Sequence, residues 1–306
     1  MILKIHLQNF RCYKDIWFPN EISCQQITQN WKHIFGSNGS GKTSILEAIS
    51  LLNAGGLRGA NSAMLGYYGA EWTLFFQLPD RELILKPGNF SRSFFDSTGE
   101  KDWRKLIIIL WATPQYIAKF CSSKTERKLF VDKVISHENK VYRDSLRKYN
   151  FYYKSWNIAC KNNYPVEILK NFEANLFILD KELKALREEW ITRLNPVMNF
   201  KYIQFAYPVL ENLEKYRISC QIPAFHTGDL LIFSSTELKY LSTGQQKILF
   251  ISFLYSILLS SYSKCKFLLL DDWYDNLDDQ NQSYIKEAIH EFQSVEVWSS
   301  GVCKIS

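Results

Sequence analysis

The sequence predicts an α/β protein: a head built on a mixed sheet, interrupted by an inserted helical arm. Three observations carry this. A glycine-rich loop at residues 36–43 lies between a strand-like and a helix-like segment. A short apolar strand at 267–270 runs into two acids, Asp271 and Asp272. Between them, two helical patterns step along their apolar positions by alternate threes and fours, the mark of a coiled-coil-like seam.

The elements follow in order. Residues 2–7 alternate apolar and polar side chains, the period of a half-buried strand, and a second strand runs through Trp17 and Phe18. Residues 31–35 feed the loop, although Lys32 and His33 make a weak strand by composition. Residues 44–52 form the next helix, with Ile45, Leu46, Ile49 and Leu52 facing inward. Residues 72–78 and 82–86 read as an antiparallel pair, and the apolar run 106–111 as a buried parallel strand. Ser123 and Glu126 then fit a capping box. Tyr142, Leu146, Tyr149, Tyr153, Trp156 and Cys160 line one arm helix, and Leu169, Phe172, Leu176, Leu179, Leu183, Leu186 and Trp190 the other. Asn162 to Pro165 break the first, and Asn195 and Pro196 end the second, so the two form an antiparallel hairpin. Strands are expected again at 202–207, 216–222, 267–270 and 295–298, and a helix from Thr243. The head is expected at residues 1–115 with 230–306, and the arm with its connecting segment at 116–229.

The composition is that of a folded chain: 46% of the 306 residues are hydrophobic and 22% charged. The formal charge is +6, and residues 121–165 alone, with ten Lys/Arg and four Asp/Glu, hold an excess of that size. Such a surplus points to a polyanion partner or to a solvated helix face. Seven scattered cysteines without a CxxC pair read as reduced cytosolic thiols, and neither they nor the five histidines make a zinc pattern. No signal-peptide core opens the chain, and the apolar run 248–259 is too short to span a bilayer. A cytoplasmic location with no membrane contact is expected.

Gly36-Ser37-Asn38-Gly39-Ser40-Gly41-Lys42-Thr43 fits G-x-x-x-x-G-K-[ST], followed by Ser44. Glycines let backbone amides turn around phosphate oxygens at a helix N-terminus. Lys42 is expected to reach the β- and γ-phosphates of ATP, and Thr43 to ligate Mg²⁺. The strand ending at Asp271 and Asp272 reads as a Walker B motif. Asp271 is expected on Mg²⁺ through water, and Asp272 where a general base or water-orienting acid is needed. Leu241-Ser242-Thr243-Gly244-Gln245-Gln246-Lys247 resembles the signature of ABC ATPases, in which the serine and glycine contact the γ-phosphate held by a partner subunit. By the same resemblance Gln115 falls at the Q-loop and residues 276–279 at the D-loop.

With these motifs in place the chain resembles the RecF family, ATPases of recombinational repair related to SMC proteins. The likeness lies in Asn9-Phe10-Arg11-Cys12-Tyr13, in the loop and Glu47-Ala48-Ile49, in Leu57-Arg58-Gly59, Thr113-Pro114-Gln115, residues 125–132 and residues 268–272. It departs from the family at His226-Thr227-Gly228-Asp229 and Gln280-Asn281-Gln282, where expected arginines are missing, and it is short between arm and signature. The resemblance implies an ABC-ATPase head of SMC type that dimerises around two ATP molecules with Mg²⁺. It further implies slow hydrolysis, binding of gapped or single-stranded DNA, and work with RecR and RecO in loading recombinase, within DNA replication, recombination and the SOS response. Arg127, Lys128, Arg143, Arg147 and Lys148 are the expected DNA contacts, with Arg11 and Arg58 nearer the nucleotide. A transporter nucleotide-binding domain is disfavoured because Lys42 and Ser242 lie so far apart, and a full SMC protein because the arm is short. A non-hydrolysing scaffold that uses ATP only as a clamp fits the two-Asp strand as well.

Overall fold

The computed structural model describes residues 1–19, 24–52, 65–87, 93–96, 106–197, 203–206, 229–232, 238–274, 277–291 and 294–302. The strands are β1 (Lys4–Phe10), β2 (Tyr13–Phe18), β3 (Cys24–Thr28), β4 (Trp31–Phe35), β5 (Thr73–Gln77), β6 (Glu82–Lys86), β7 (Ser93–Asp96), β8 (Ile107–Ala112), β9 (Ile203–Ala206), β10 (Asp229–Ile232), β11 (Cys265–Leu270) and β12 (Glu296–Gly301). The helices, numbered here in chain order, are α1 (Lys42–Ser50), α2 (Pro114–Ser122), α3 (Lys124–Glu138), α4 (Lys140–Lys161), α5 (Val166–Leu194), α6 (Thr243–Ser260) and α7 (Asp279–Glu291).

The chain divides into two compact units, Met1–Ala118 with Ser242–Ser306, and Lys119–Leu241. The expected head began again at residue 230, but 230–241 fall in the arm unit. β10 pairs antiparallel with β9, inside the second unit.

The first unit has two sheets. One is antiparallel, in the order β2-β1-β5-β6-β7. The other runs β3-β4-β12-β11-β8, parallel except for the edge strand β3. Alternation along β1 sends Ile5 and Leu7 into a shared core with Ile45, Leu46 and Ile49 of α1, and Phe10 joins it after Asn9, at φ 51°, breaks the alternation. The parallel strands β11 and β12 are buried nearly throughout; β11 ends in an apolar run, Phe267 to Leu270, whereas β12 buries Glu296, Ser299 and Ser300 beside Val297 and Trp298.

β4 resolves the oddity of Lys32 and His33. Both are buried. Lys32 Nζ donates to Glu296 Oε1 and to the Ile2 carbonyl, each at 3.0 Å, so a cation in the sheet is paired by the neighbouring strand. His33 Nδ1 lies 2.8 Å from Ser299 Oγ, which also accepts from Trp31 Nε1 at 2.8 Å. The parallel partner β12 supplies what composition could not: side-chain partners that make a polar strand fit to bury.

In the second unit α4 and α5 form the hairpin. The 22 and 29 residues of these helices give arms of about 33 and 43 Å. Tyr142, Tyr149 and Trp156 of α4 and Leu176 and Leu183 of α5 are all fully buried, as the seam predicts. Trp156 Nε1 donates to Glu173 Oε1 at 3.0 Å. Ser123 caps α3 by accepting the Glu126 amide, and Asn139 caps α4 by accepting that of Tyr142. At the hairpin base the Tyr142 hydroxyl donates to Asp132 at 2.6 Å. Arg187 donates Nε to that hydroxyl at 2.8 Å and also pairs with the Asp132 carboxylate. This buried triad ties α3, α4 and α5 together. No helix among the described residues is long and apolar enough to cross a membrane.

The expected strand at 216–222, Arg58 with its neighbours, residues 226–228 and Asn276 lie outside the described residues.

Candidate nucleotide site

The loop of residues 36–43 links the end of β4 to the start of α1, at the carboxyl edge of the parallel sheet. Its amides are pinned to the sheet where the Gly36 N–H donates to the Gly301 carbonyl at the end of β12, at 3.3 Å. Gly41 holds φ 92°, a left-handed conformation. A Cβ there would lie 2.5 Å from Cys12 Sγ and 2.6 Å from the Tyr13 hydroxyl. Only glycine fits both demands. Lys42 is buried, and its ammonium donates to the Gly36 and Ser37 carbonyls, each at 2.9 Å.

Thr43 Oγ1 donates to Asp271 Oδ1 at 3.2 Å, so the loop and the end of β11 meet. Ser300 of β12 donates to the same oxygen at 2.6 Å and accepts the Asp272 amide at 3.2 Å. Burial is the largest influence on Asp271 and raises its carboxyl above the ordinary range. The Ser300 hydrogen bond opposes that, the Asp272 charge adds to it, and Thr43 and Lys42 oppose it. Asp272 turns out of the strand at φ 45°. Among the described residues no three His, Cys, Asp or Glu gather to hold a metal by themselves. The donor set fits Mg²⁺ instead. One hydroxyl and one carboxylate side by side, next to a phosphate loop, is the usual arrangement, because Mg²⁺ is held through few protein ligands plus substrate phosphates.

The other expected residues fall as follows. Arg11 donates Nε and a terminal amine to the two Glu47 oxygens at 2.7 and 3.0 Å, which fixes the β1–β2 turn against α1. Gln115 is exposed in the first turn of α2. Ser242 is the exposed N-cap of α6. It accepts the Gln245 amide at 3.3 Å, while Gln245 Oε1 accepts the Ser242 amide at 3.0 Å, a complete capping box. Gly244 follows in the first turn of the same helix. No hydrogen bond among the described residues joins Ser242 or Gln245 to the loop at 36–43. Asp278 caps α7 by accepting the Asn281 amide at 2.7 Å.

Sequence reasoning missed three residues. Ser300 hydrogen-bonds both acids that follow β11, and a serine late in β12 gave no signal. Tyr13 donates its hydroxyl to the Ser40 carbonyl at 3.2 Å and so braces the loop. Lys247, buried in α6, donates to the Asp272 and Trp273 carbonyls at 3.0 and 3.2 Å. These bonds tie α6 to the turn after Asp272.

The basic set needs one correction. Arg127 is buried, and it donates to the Phe120 and Cys121 carbonyls at 2.8 and 3.0 Å, closing the end of α2. It is a capping group, not a surface cation. Arg143 is half-buried and donates to the Ser136 carbonyl at 3.1 Å. Burial lowers the pKa of the half-buried Lys128. Arg147 and Lys148 are exposed.

A phosphate loop, a strand ending in paired acids and a mixed sheet define a P-loop ATPase. The profile of the AAA ATPase domain family matches residues 1–163, and the chain belongs to that family. The resemblance to RecF is borne out. The chain is 24% identical to the DNA replication and repair protein RecF of Rickettsia typhi, over 92% of this chain and 89% of the relative. It is 27% identical to that of Rickettsia rickettsii, over 86% and 68%. Among solved structures, the recombination mediator protein RecF-ATPrS superposes with a TM-score of 0.74 at 20% identity, covering 99% of this chain and 93% of the other. The Smc head domain from Pyrococcus furiosus does so at 0.50 and 17% identity, over 99% and 89%. These place the fold among RecF and SMC heads.

Proposed function

We propose that this chain is an ATP-dependent DNA-binding protein of DNA replication and repair. Two copies close around ATP, and the closed dimer binds gapped or single-stranded DNA and helps load recombinase, with RecR and RecO as partners. The observation that carries the reading is the meeting of Thr43, Asp271 and Ser300 beside Lys42, at the end of the parallel sheet. The Rickettsia relatives named above, DNA replication and repair proteins, support the repair role.

Bound ATP with Mg²⁺ supplies the phosphoryl bond and the charge that the site answers. Lys42 gives its ammonium to the β- and γ-phosphates, exchanging the Gly36 and Ser37 carbonyls for stronger anionic acceptors. The loop amides and the N-terminus of α1 donate to phosphate oxygens. Thr43, and Asp271 through water, would hold Mg²⁺, while Ser300 fixes the rotamer of Asp271 and orients Asp272 through its amide. Asp272 and Gln115 orient the attacking water. Ser242 and Gly244 at the N-terminus of α6 face the γ-phosphate held by the second copy.

The test is dimerisation measured by light scattering after sizing, with and without ATP and gapped DNA. The expected result is a dimer only with ATP, and none for Lys42→Ala. A monomer at saturating ATP, with or without DNA, would overturn the reading.

A further inference from the structure

The outer face of α4 carries a pattern that the nucleotide site does not use. Lys140, Arg147, Lys154 and Lys161 recur at intervals of seven, and all are exposed. Each of the first three stands two positions before a buried seam aromatic, Tyr142, Tyr149 or Trp156. Two residues turn a helix by about 200°, so the cations point directly away from the seam. Phe151 and Ile158 follow Tyr149 and Trp156 by two positions and land on the same outer face, 64% and 56% exposed. The one acid among them is Asp144, which sits 3.6 Å from Arg147. α5 offers no such row, because Glu167, Glu188 and Glu189 interrupt its exposed positions.

We propose that this face of α4 is a binding surface for single-stranded nucleic acid, with Lys140, Arg147, Lys154 and Lys161 on phosphates and Phe151 on a base. The inference rests on the DNA-binding reading above and names the surface. The cations stand about 10.5 Å apart and form a row about 31 Å long. That geometry suits a continuous polyanion, which presents charge along its whole length. A merely solvated face gains nothing from a half-exposed Phe and Ile set between its charges. A strand with unstacked bases does, because base faces pack on aromatic and apolar side chains while cations track the backbone. A duplex hides those faces. Of the surface cations named from sequence, Arg147 belongs to this row and Lys148 flanks it. Lys140, Lys154 and Lys161 were missed.

The test is fluorescence anisotropy with the full chain and ATP, on an oligothymidine and a duplex of about 30 units each, between roughly 50 and 200 mM salt. The variants are Lys140→Gln/Lys154→Gln/Lys161→Gln, Phe151→Ser, and a control with three other exposed lysines changed, Lys119→Gln/Lys170→Gln/Lys264→Gln. Circular dichroism checks that α4 stays folded. Neutralising the row should weaken single-strand binding at least about tenfold and lower the salt slope by about two, at roughly 0.7 per lost phosphate contact. Phe151→Ser should weaken the single strand severalfold with its slope unchanged and leave the duplex alone. If the row variant binds as the wild type does, or the control loses as much, the surface assignment fails while the DNA-binding reading stands. If Phe151→Ser weakens duplex and single strand alike, or neither, the base contact is wrong. If the wild type binds neither oligonucleotide, both readings fall.

Discussion

Ser242 can be tested so that its local role and its role across a dimer separate. It caps α6, accepting the Gln245 amide at 3.3 Å, and its hydroxyl is exposed. Replacing it with Ala removes one N-cap and should cost about 1 kcal/mol, or about 2–4 °C in melting temperature. Aspartate caps as well as serine and suits the helix dipole, so Ser242→Asp should melt like the wild type. It nevertheless puts a carboxylate where the proposed dimer brings a γ-phosphate. Two unit charges about 4 Å apart at an effective dielectric of about 20 repel by about 4 kcal/mol, near a thousandfold in the dimer constant. The assay is sizing with light scattering over a concentration series, in a non-hydrolysed ATP analogue, beside a melting curve. Ser242→Asp should keep the melting temperature and the monomer's ATP affinity but lose the dimer. If it dimerises with the wild-type midpoint, Ser242 is a helix cap and nothing more.

Two further predictions concern the brace residues. Asp132→Ala strands the buried Arg187 guanidinium and should cost about 3–5 kcal/mol, while Asp132→Leu with Arg187→Met should recover most of that. Urea unfolding with hydrogen exchange over α3–α5 reads it, and a loss below about 1 kcal/mol for the single change would refute the buried pair. Burial, with a smaller push from the Cys12 charge, raises the Tyr13 phenol to about 12. Because the folded value lies above the unfolded one of about 10, its stabilising contribution is complete below pH of about 10 and is lost as pH climbs through about 12. Tyr13→Phe should therefore fall less steeply in melting temperature over that alkaline window, and equal slopes would count against the raised phenol of this half-buried residue.

Much of the site was legible because its chemistry is local in sequence. A phosphate loop needs glycines at short fixed spacing and a following helix, so Gly36 to Thr43 announced themselves, and the apolar run into Asp271 marked the strand end. The arm was legible because helical periodicity survives in one dimension: Tyr142, Tyr149 and Trp156 are buried where their spacing put them.

The sequence alone thus determined the loop, the paired acids, the cap at Ser123 and the hairpin seam, since each depends on neighbours a few residues away. The tertiary structure decided what depends on partners far along the chain. Ser300 stands beside Asp271 because β11 and β12 pair in register. Lys32 is buried because Glu296 lies across the sheet. Arg127 closes α2 instead of facing solvent. A charged side chain has the same identity on a surface and in a core. Only the fold, by removing water and supplying a partner, determines which of the two it becomes.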